Sequence, residues 1–344
     1  MAPTSNPTMV AAMFSPDSPV LQLQQVPKPT PAANEVLLRV RACGVCHSDI
    51  ALLDGRGLRT SSFVAGHEIC GEAVAAGTDV ANDVTIGALY SVDLGQTRAD
   101  DVGRRHALDG TSGLGRDGGY AQYVALPARA LVRVPEGVTP SQAAVAADAG
   151  VTAYHAVFDV AKVKEGEKVL IVGAGGLGLI AVQLARIAGA SQVFVADPRP
   201  HTRELSRERG ADQTFSPEEL DAAIANGLSV DVALDFVSVP STFQQGYNAL
   251  LPTAAKSICD ARLVLVGVGH GKVEVDLRIA VVIPVRILGN LYGTSENLAS
   301  VLKLIQEGKV KLELEESPLE KICEVLDDLR AGKIRSRMVI IPPV

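Results

Sequence analysis

The rhythm of apolar and polar positions changes near residue 150. Before that point, short apolar runs alternate with Gly, Pro, Asn and Asp. Val36-Leu37-Leu38-Arg39-Val40-Arg41-Ala42 reads as a strand, with residues 27–31 as a Pro-bounded rigid lead-in and residues 46–53 as a short helix behind it. Residues 69–76 and 84–92 are further strands, separated by Gly and Asn/Asp breakers, and this β-rich texture continues to about Pro135. After Gly150, strands and helices alternate. Residues 168–172 form an apolar strand, 177–190 a helix, 193–196 a second strand and 202–209 a charged helix, with strands following at 230–236 and 262–268. This alternation predicts a parallel sheet with right-handed crossovers. Residues 296–344 add two helical stretches and a closing strand at 337–341, and there is no internal repeat or low-complexity tract.

At 344 residues the chain is long for one core, which predicts two domains. Its 47% hydrophobic and 21% charged residues are ordinary for a soluble protein. A formal charge of −7 argues against a nucleic-acid partner, because a phosphate track needs a dense Lys/Arg face. No apolar run approaches the roughly 20 residues of a membrane span, so no membrane association is expected. Residues 1–7 lack a basic patch followed by an apolar stretch, which argues against a secretory signal. Five scattered cysteines, an odd number, do not form a disulfide framework, and a cytoplasmic location is expected.

Gly173-Ala174-Gly175-Gly176-Leu177-Gly178 lies between a strand and a helix, and Asp197 ends the next strand. That context fits a dinucleotide-binding loop. Gly173 permits the tight turn, Gly175 lets backbone approach the pyrophosphate, and Gly178 allows close helix–strand packing. The Asp197 carboxylate is suited to accept from both adenosine ribose hydroxyls and would repel a 2′-phosphate, which favours NAD over NADP. Arg199 and Arg203 stand close enough in sequence to temper that preference. A ligand-free Gly-rich turn, with Asp197 as a helix cap, is the plainer alternative.

Cys46, His67 and Asp148 supply a thiolate, an imidazole and a carboxylate, three ligand types that zinc accepts. Three protein ligands leave a fourth tetrahedral position for water or substrate, which marks a catalytic metal. Cys43 and Cys46 form a lone Cys-x-x-Cys pair; Cys70, Cys259 and Cys323 are isolated, so a four-cysteine structural site is excluded. Cys43, at a strand end, reads as a buried small hydrophobe. Around the three ligands, Asp49 is placed to accept from the other ring nitrogen of His67, and Glu68 to support the site. Each residue also has an ordinary structural reading: Cys46 a core thiol, His67 a turn residue, Asp148 a helix cap.

The order of Gly44-Val45-Cys46-His47-Ser48-Asp49, Gly66-His67-Glu68, Gly118-Gly119-Tyr120-Ala121-Gln122-Tyr123, Ala149-Gly150-Val151-Thr152-Ala153-Tyr154 and the glycine loop resembles the zinc-dependent medium-chain alcohol dehydrogenase family over essentially the whole chain. The resemblance implies an α/β protein in which a GroES-like, mainly β catalytic domain (1–154, completed by 294–344) is joined to a doubly wound Rossmann coenzyme domain (155–293), with the active site in the cleft between them. It implies Cys46 and His67 as ligands of one catalytic zinc and Ser48 as the hydroxyl that hydrogen-bonds the substrate oxygen. It sets His47 and Arg337 near the pyrophosphate, Thr152 and Leu177 near the nicotinamide, and Val266 and Val268 at the carboxamide. It also implies a homo-oligomer, a dimer or tetramer, through the edge strand 287–292.

Three departures stand out. The third ligand position commonly holds Cys and here holds Asp148, a harder donor. Residues 93–117 contain no cysteine, so the four-cysteine structural zinc lobe of many members is absent. Ala51 stands where a proton-relay histidine is common, which leaves Ser48, the ribose and water to carry the proton.

The implied reaction interconverts an alcohol and an aldehyde or ketone with NAD(H). Two other readings compete with it: a zinc-free NADPH-dependent reductase of the same fold acting on an activated C=C bond, and a non-enzymatic NAD-binding sensor or structural protein. The absence of tryptophan and the 4% aromatic content predict an aliphatic-walled pocket, and the missing lobe would suit secondary or bulky alcohols.

Overall fold

A computed structural model describes residues 7–55, 61–80, 84–97, 110–256, 261–335 and 337–344. Two compact units result: Met1–Asp148 with Thr294–Gly308 and Leu312–Val344, and Ala149–Gly293 with Lys309–Lys311. Residues 98–109 of the cysteine-free stretch 93–117, and Cys259, lie outside the described residues. Among the described residues no helix is long and apolar enough to cross a membrane.

The second unit is built on six parallel strands in the spatial order Gln213–Phe215, Gln192–Ala196, Lys168–Val172, Val232–Asp235, Arg262–Leu265, Arg286–Gly289. In chain order this is 3-2-1-4-5-6, the Rossmann arrangement. Leu170, Ile171, Ala233 and Leu234 are fully buried, as expected of central parallel strands covered by helices on both faces. The strand order reverses between Lys168–Val172 and Val232–Asp235, and Gly173 begins the loop at that switch point. Two strands are shorter than their apolar runs predict, ending at Asp235 and Leu265. Beyond them the chains converge: a Cβ on Gly267 would stand 2.6 Å from the Phe236 carbonyl oxygen.

The helix Pro240–Lys256 escapes a first reading because Gln, Asn, Ser and an internal Pro252 interrupt its sequence. Its period is nonetheless present: Phe243, Tyr247, Leu250 and Ala254 are buried and recur every three or four residues. Pro217–Ala225 is fixed at its start by Pro217 and a capping box. Ser216 Oγ accepts from Glu219 N (3.2 Å), and Glu219 Oε2 accepts from Ser216 N (2.6 Å).

In the first unit, strand Glu35–Gly44 is the hub. It pairs antiparallel with Glu68–Ala76, Tyr123–Pro127 and the closing strand Arg337–Ile341, which in turn pairs in parallel with Leu314–Pro318. Leu89–Val92 and Leu131–Arg133 extend the sheet. The strand expected at 84–92 is cut to Leu89–Val92 because Gly87, at φ +86, turns the chain just before it. A separate three-stranded sheet orders Gln22–Pro27, Thr8–Phe14 and Phe63–Val64.

Candidate metal and coenzyme sites

Sheet register assembles the metal-binding candidates. Gly44 pairs with Glu68 on one side and Val339 on the other, so the Cys46 turn, the His67–Glu68 segment and Arg337 meet at one end of the sheet. Gly44 needs to lack a side chain: a Cβ there would lie 1.9 Å from Glu68 Oε2. Cys46 is the N-cap of helix His47–Leu53, its Sγ accepting from Ser48 N (3.5 Å) and lying 3.6 Å from Ser48 Oγ. Gly118-Gly119-Tyr120 lines the segment before His67, with Gly118 N donating to Val64 O (2.7 Å), Gly119 N to Gly66 O (2.7 Å) and Tyr120 N to Ala65 O (2.9 Å). Asp148 comes from a π-helical turn, Ala146–Gly150, a local widening often found at functional sites.

Cys46, His67, Glu68 and Asp148 are all buried, and their donor atoms lie within 4.8 Å of one another. His67 is clasped between two carboxylates. Nδ1 lies 3.3 Å from Asp49 Oδ1 and Nε2 lies 3.6 Å from Asp148 Oδ2, and neither ring nitrogen makes an aligned hydrogen bond. Asp49 is itself fixed, its Oδ2 accepting from Cys46 N (3.0 Å) and from the Tyr120 hydroxyl (2.8 Å). Tyr120, fully buried, thereby holds Asp49 in place. Glu68 pairs through Oε1 with the buried guanidinium of Arg337, while its Oε2 has no hydrogen-bond partner. The structure therefore sets Arg337, expected at the pyrophosphate, against Glu68. Cys43 stands outside the donor cluster, buried beside Ile69 and Gly119.

The electrostatics are those of a cluster short of positive charge. Burial and the Asp148 carboxylate push the Cys46 thiol up, and burial pushes Glu68 up to about 7 against the pull of Arg337. Burial also disfavours charge on His67, yet Asp49, Asp148 and Cys46 outweigh it and drive the imidazole well above its ordinary range. Asp148 is held at about 2 despite burial, because the neighbouring His67 imidazole, 3.6 Å away, favours its charged form. A dication reverses the penalty on Cys46, since a coordinating thiol deprotonates. The convergent S, N and O donors, together with the buried polar atoms His67 Nε2 and Glu68 Oε2 lacking hydrogen bonds, fit a divalent metal such as zinc.

In the second unit the glycine loop leads into helix Gly176–Ile187, with Gly175 as N-cap, Gly176 first in the helix and Leu177 half-buried after it. Gly173 takes φ +85, and a Cβ on Gly178 would lie 2.1 Å from Gly173 O. Both positions require glycine. Thr152 is buried and its carbonyl accepts from Asn290 Nδ2 (3.3 Å), while His155 Nδ1 donates to Asn290 Oδ1 (2.7 Å). Val266 is buried, with N donating to Asp235 O (2.8 Å), whereas Val268 is exposed. Back in the first unit, His47 is exposed at the start of its helix and Ser48 half-buried behind Cys46.

Asp197 is buried at the end of strand Gln192–Ala196 and is already fully engaged. Its Oδ1 accepts from Arg199 N (2.9 Å) and Nε (2.9 Å), and its Oδ2 from Ala174 N (2.9 Å) and Arg199 Nη2 (2.9 Å).

Comparison with known proteins gives a consistent picture. Residues 32–136 match the alcohol dehydrogenase GroES-like domain, and residues 176–307 match the zinc-binding dehydrogenase family. An alcohol dehydrogenase from Geobacillus stearothermophilus is 34% identical, over 96% of this chain and 99% of that one. An L-threonine 3-dehydrogenase from Pyrococcus horikoshii is 30% identical, over 94% and 96%. Among solved structures, the acetophenone reductase of Geotrichum candidum in complex with NAD is 33% identical, with TM-score 0.86 and 98% of each chain covered.

Proposed function

This chain belongs to the zinc-dependent medium-chain alcohol dehydrogenase family, and is thus an oxidoreductase; from that premise we propose that it interconverts an alcohol and an aldehyde or ketone with NAD(H), using one catalytic zinc. The observation that carries this reading is the convergence of Cys46, His67, Glu68 and Asp148 beside the Ser48 hydroxyl. Cys46, His67 and Asp148 would hold the metal, with Glu68 or a substrate oxygen on the fourth side. Zinc bound there supplies Lewis acidity toward an alcohol or carbonyl oxygen, and a nicotinamide supplies or takes the hydride.

The chain's own residues do the rest. Ser48 Oγ, 3.6 Å from Cys46 Sγ, would accept the alcohol proton during oxidation while passing its own hydroxyl proton on to water, and would run the same exchange backwards during reduction. Asp49, locked by Tyr120 and Cys46 N, keeps His67 oriented with Nε2 toward the donor cluster. Arg337 offsets the Glu68 charge, so the cluster does not carry that carboxylate unneutralised. The glycine loop and helix Gly176–Ile187 present N–H groups to a pyrophosphate, and Asp197 favours the unphosphorylated ribose of NAD.

Acetophenone is a ketone, and position 3 of threonine bears a secondary hydroxyl. Secondary alcohols are therefore the first substrates to try. The purified chain is expected to carry about one zinc per chain and to reduce NAD in the presence of a secondary alcohol, read as nicotinamide absorbance. A zinc-free chain that instead reduces activated C=C bonds with NADPH would replace this reading, and so would one that binds NAD without turnover.

We further propose a homodimer through the edge of the parallel sheet. Strand Arg286–Gly289 ends the sheet, and Ile287, Leu291, Leu277, Val281 and Val282 are exposed on or near it. An uncovered apolar edge favours strand-to-strand association. Light scattering is expected to give twice the monomer mass at micromolar concentration; monomer mass throughout would contradict the proposal.

A further inference from the structure

Asn290, a buried residue, joins three segments of the second unit. Its N donates to Leu265 O (2.9 Å), its Nδ2 donates to Thr152 O (3.3 Å), and its Oδ1 lies 2.7 Å from His155 Nδ1. A carbonyl oxygen can only accept, so the amide nitrogen faces Thr152 and the amide oxygen faces His155. His155 therefore carries a proton on Nδ1, and the two partners hold the Asn290 amide in one orientation. Asn290 directly follows strand Arg286–Gly289, and Val266 directly follows Arg262–Leu265. A doubly wound sheet takes the two halves of a dinucleotide on either side of its switch point, beyond the carboxyl ends of the strands. The Gly173 loop and Asp197 follow the first two strands of this sheet, so the ends of the fourth to sixth strands face the nicotinamide half. Backbone contacts knit the ends of the fourth and fifth strands. Val266 N donates to Asp235 O (2.8 Å), and a Cβ on Gly269 would stand 1.9 Å from Ser238 O. Thr152 is tied to that wall through the Asn290 side chain.

Resting on the coenzyme reading above, we infer that Asn290 is a positioning residue for the nicotinamide, fixing the Thr152 turn against the Val266 segment, with His155 orienting its amide. The two hydrogen bonds of the side chain act together. Without the His155 bond the amide is free to turn, and the donor aimed at Thr152 turns with it. Losing the Thr152 bond loosens one wall of the nicotinamide half and leaves the glycine loop and Asp197 untouched. Hydride transfer is sensitive to such loosening, since a misplacement of about 1 Å can cost about 10²-fold in rate.

The test uses the full chain and compares NADH with ADP-ribose, which lacks the nicotinamide, by isothermal titration calorimetry. Wild type is expected to bind NADH the more tightly. Asn290→Leu, similar in shape but without hydrogen bonds, is expected to lower NADH affinity about 10-fold and to leave ADP-ribose affinity within about 2-fold, the scale of one or two hydrogen bonds. Turnover with a secondary alcohol at saturating NAD should fall by about 10–100-fold. His155→Ala, at a half-buried position, should give a smaller loss of the same kind, and it carries the test if Asn290→Leu does not fold. The double variant should lose no more than Asn290→Leu alone, because both residues act through one amide. Equal losses for NADH and ADP-ribose, or no loss for either, overturn the assignment and leave the dehydrogenase reading intact. A wild-type chain that binds neither ligand overturns this inference and the coenzyme reading together.

Discussion

Asp148→Asn is expected to weaken zinc binding by more than about 10²-fold, since even partners one step removed from a metal are typically worth 10–100-fold. Turnover should fall in step. The substitution keeps shape and removes only the charge that pairs with His67 Nε2, 3.6 Å away. A neutral amide oxygen is a poor donor to a cation that the cluster otherwise neutralises with thiolate and carboxylate. Asp148→Cys, restoring the softer donor common at this position, should retain the metal. Chelator competition on the purified variants measures both. Unchanged affinity in Asp148→Asn would transfer the third ligand to Glu68, and Glu68→Gln would then be the variant that loses zinc.

Ser48→Ala should depress turnover by about 10²–10⁴-fold, the usual range for positioned acid–base assistance, with zinc content unchanged. Cys46 keeps its backbone partner, because the bond from Ser48 N to Sγ does not involve the lost hydroxyl. With Ala51 where a relay histidine is common, Ser48 has no imidazole behind it at that place. Ala51→His should therefore raise alcohol oxidation below neutral pH, where removing the proton is hardest. The comparison is a pH series on variants of equal zinc content. Near wild-type turnover in Ser48→Ala would put proton handling elsewhere.

What the sequence disclosed depended on how local the signal was. The glycine loop, the strand before it and Asp197 lie within one βαβ stretch, so composition and spacing sufficed. Cys46 and His67 stand out in the sequence because each sits in a short motif that begins with glycine. Asp148 was named, but its π-helical turn was not, since widening by one residue leaves no compositional mark. The contacts of Tyr120 with Asp49 and of Arg337 with Glu68 are illegible in the sequence for a different reason. Each joins residues remote in sequence, and only register across strand Glu35–Gly44 brings them together. The Arg199 fork on Asp197 was near in sequence, yet whether two side chains two residues apart clasp or diverge is decided by backbone geometry that spacing does not encode.

The pairing of Glu68 with Arg337 has a consequence for biosynthesis. The two residues are 269 apart in the chain, which at ribosomal speeds of about 5–20 residues per second is a delay of roughly 10–50 s. Throughout that interval the nascent chain already holds Cys46, His67 and Glu68 but lacks the guanidinium that offsets Glu68. It also lacks the strand that covers one end of Glu35–Gly44 at Cys43 and Gly44. The wall of the donor cluster therefore closes late in synthesis, and until then an open strand end and an uncompensated carboxylate share the same corner of the emerging protein.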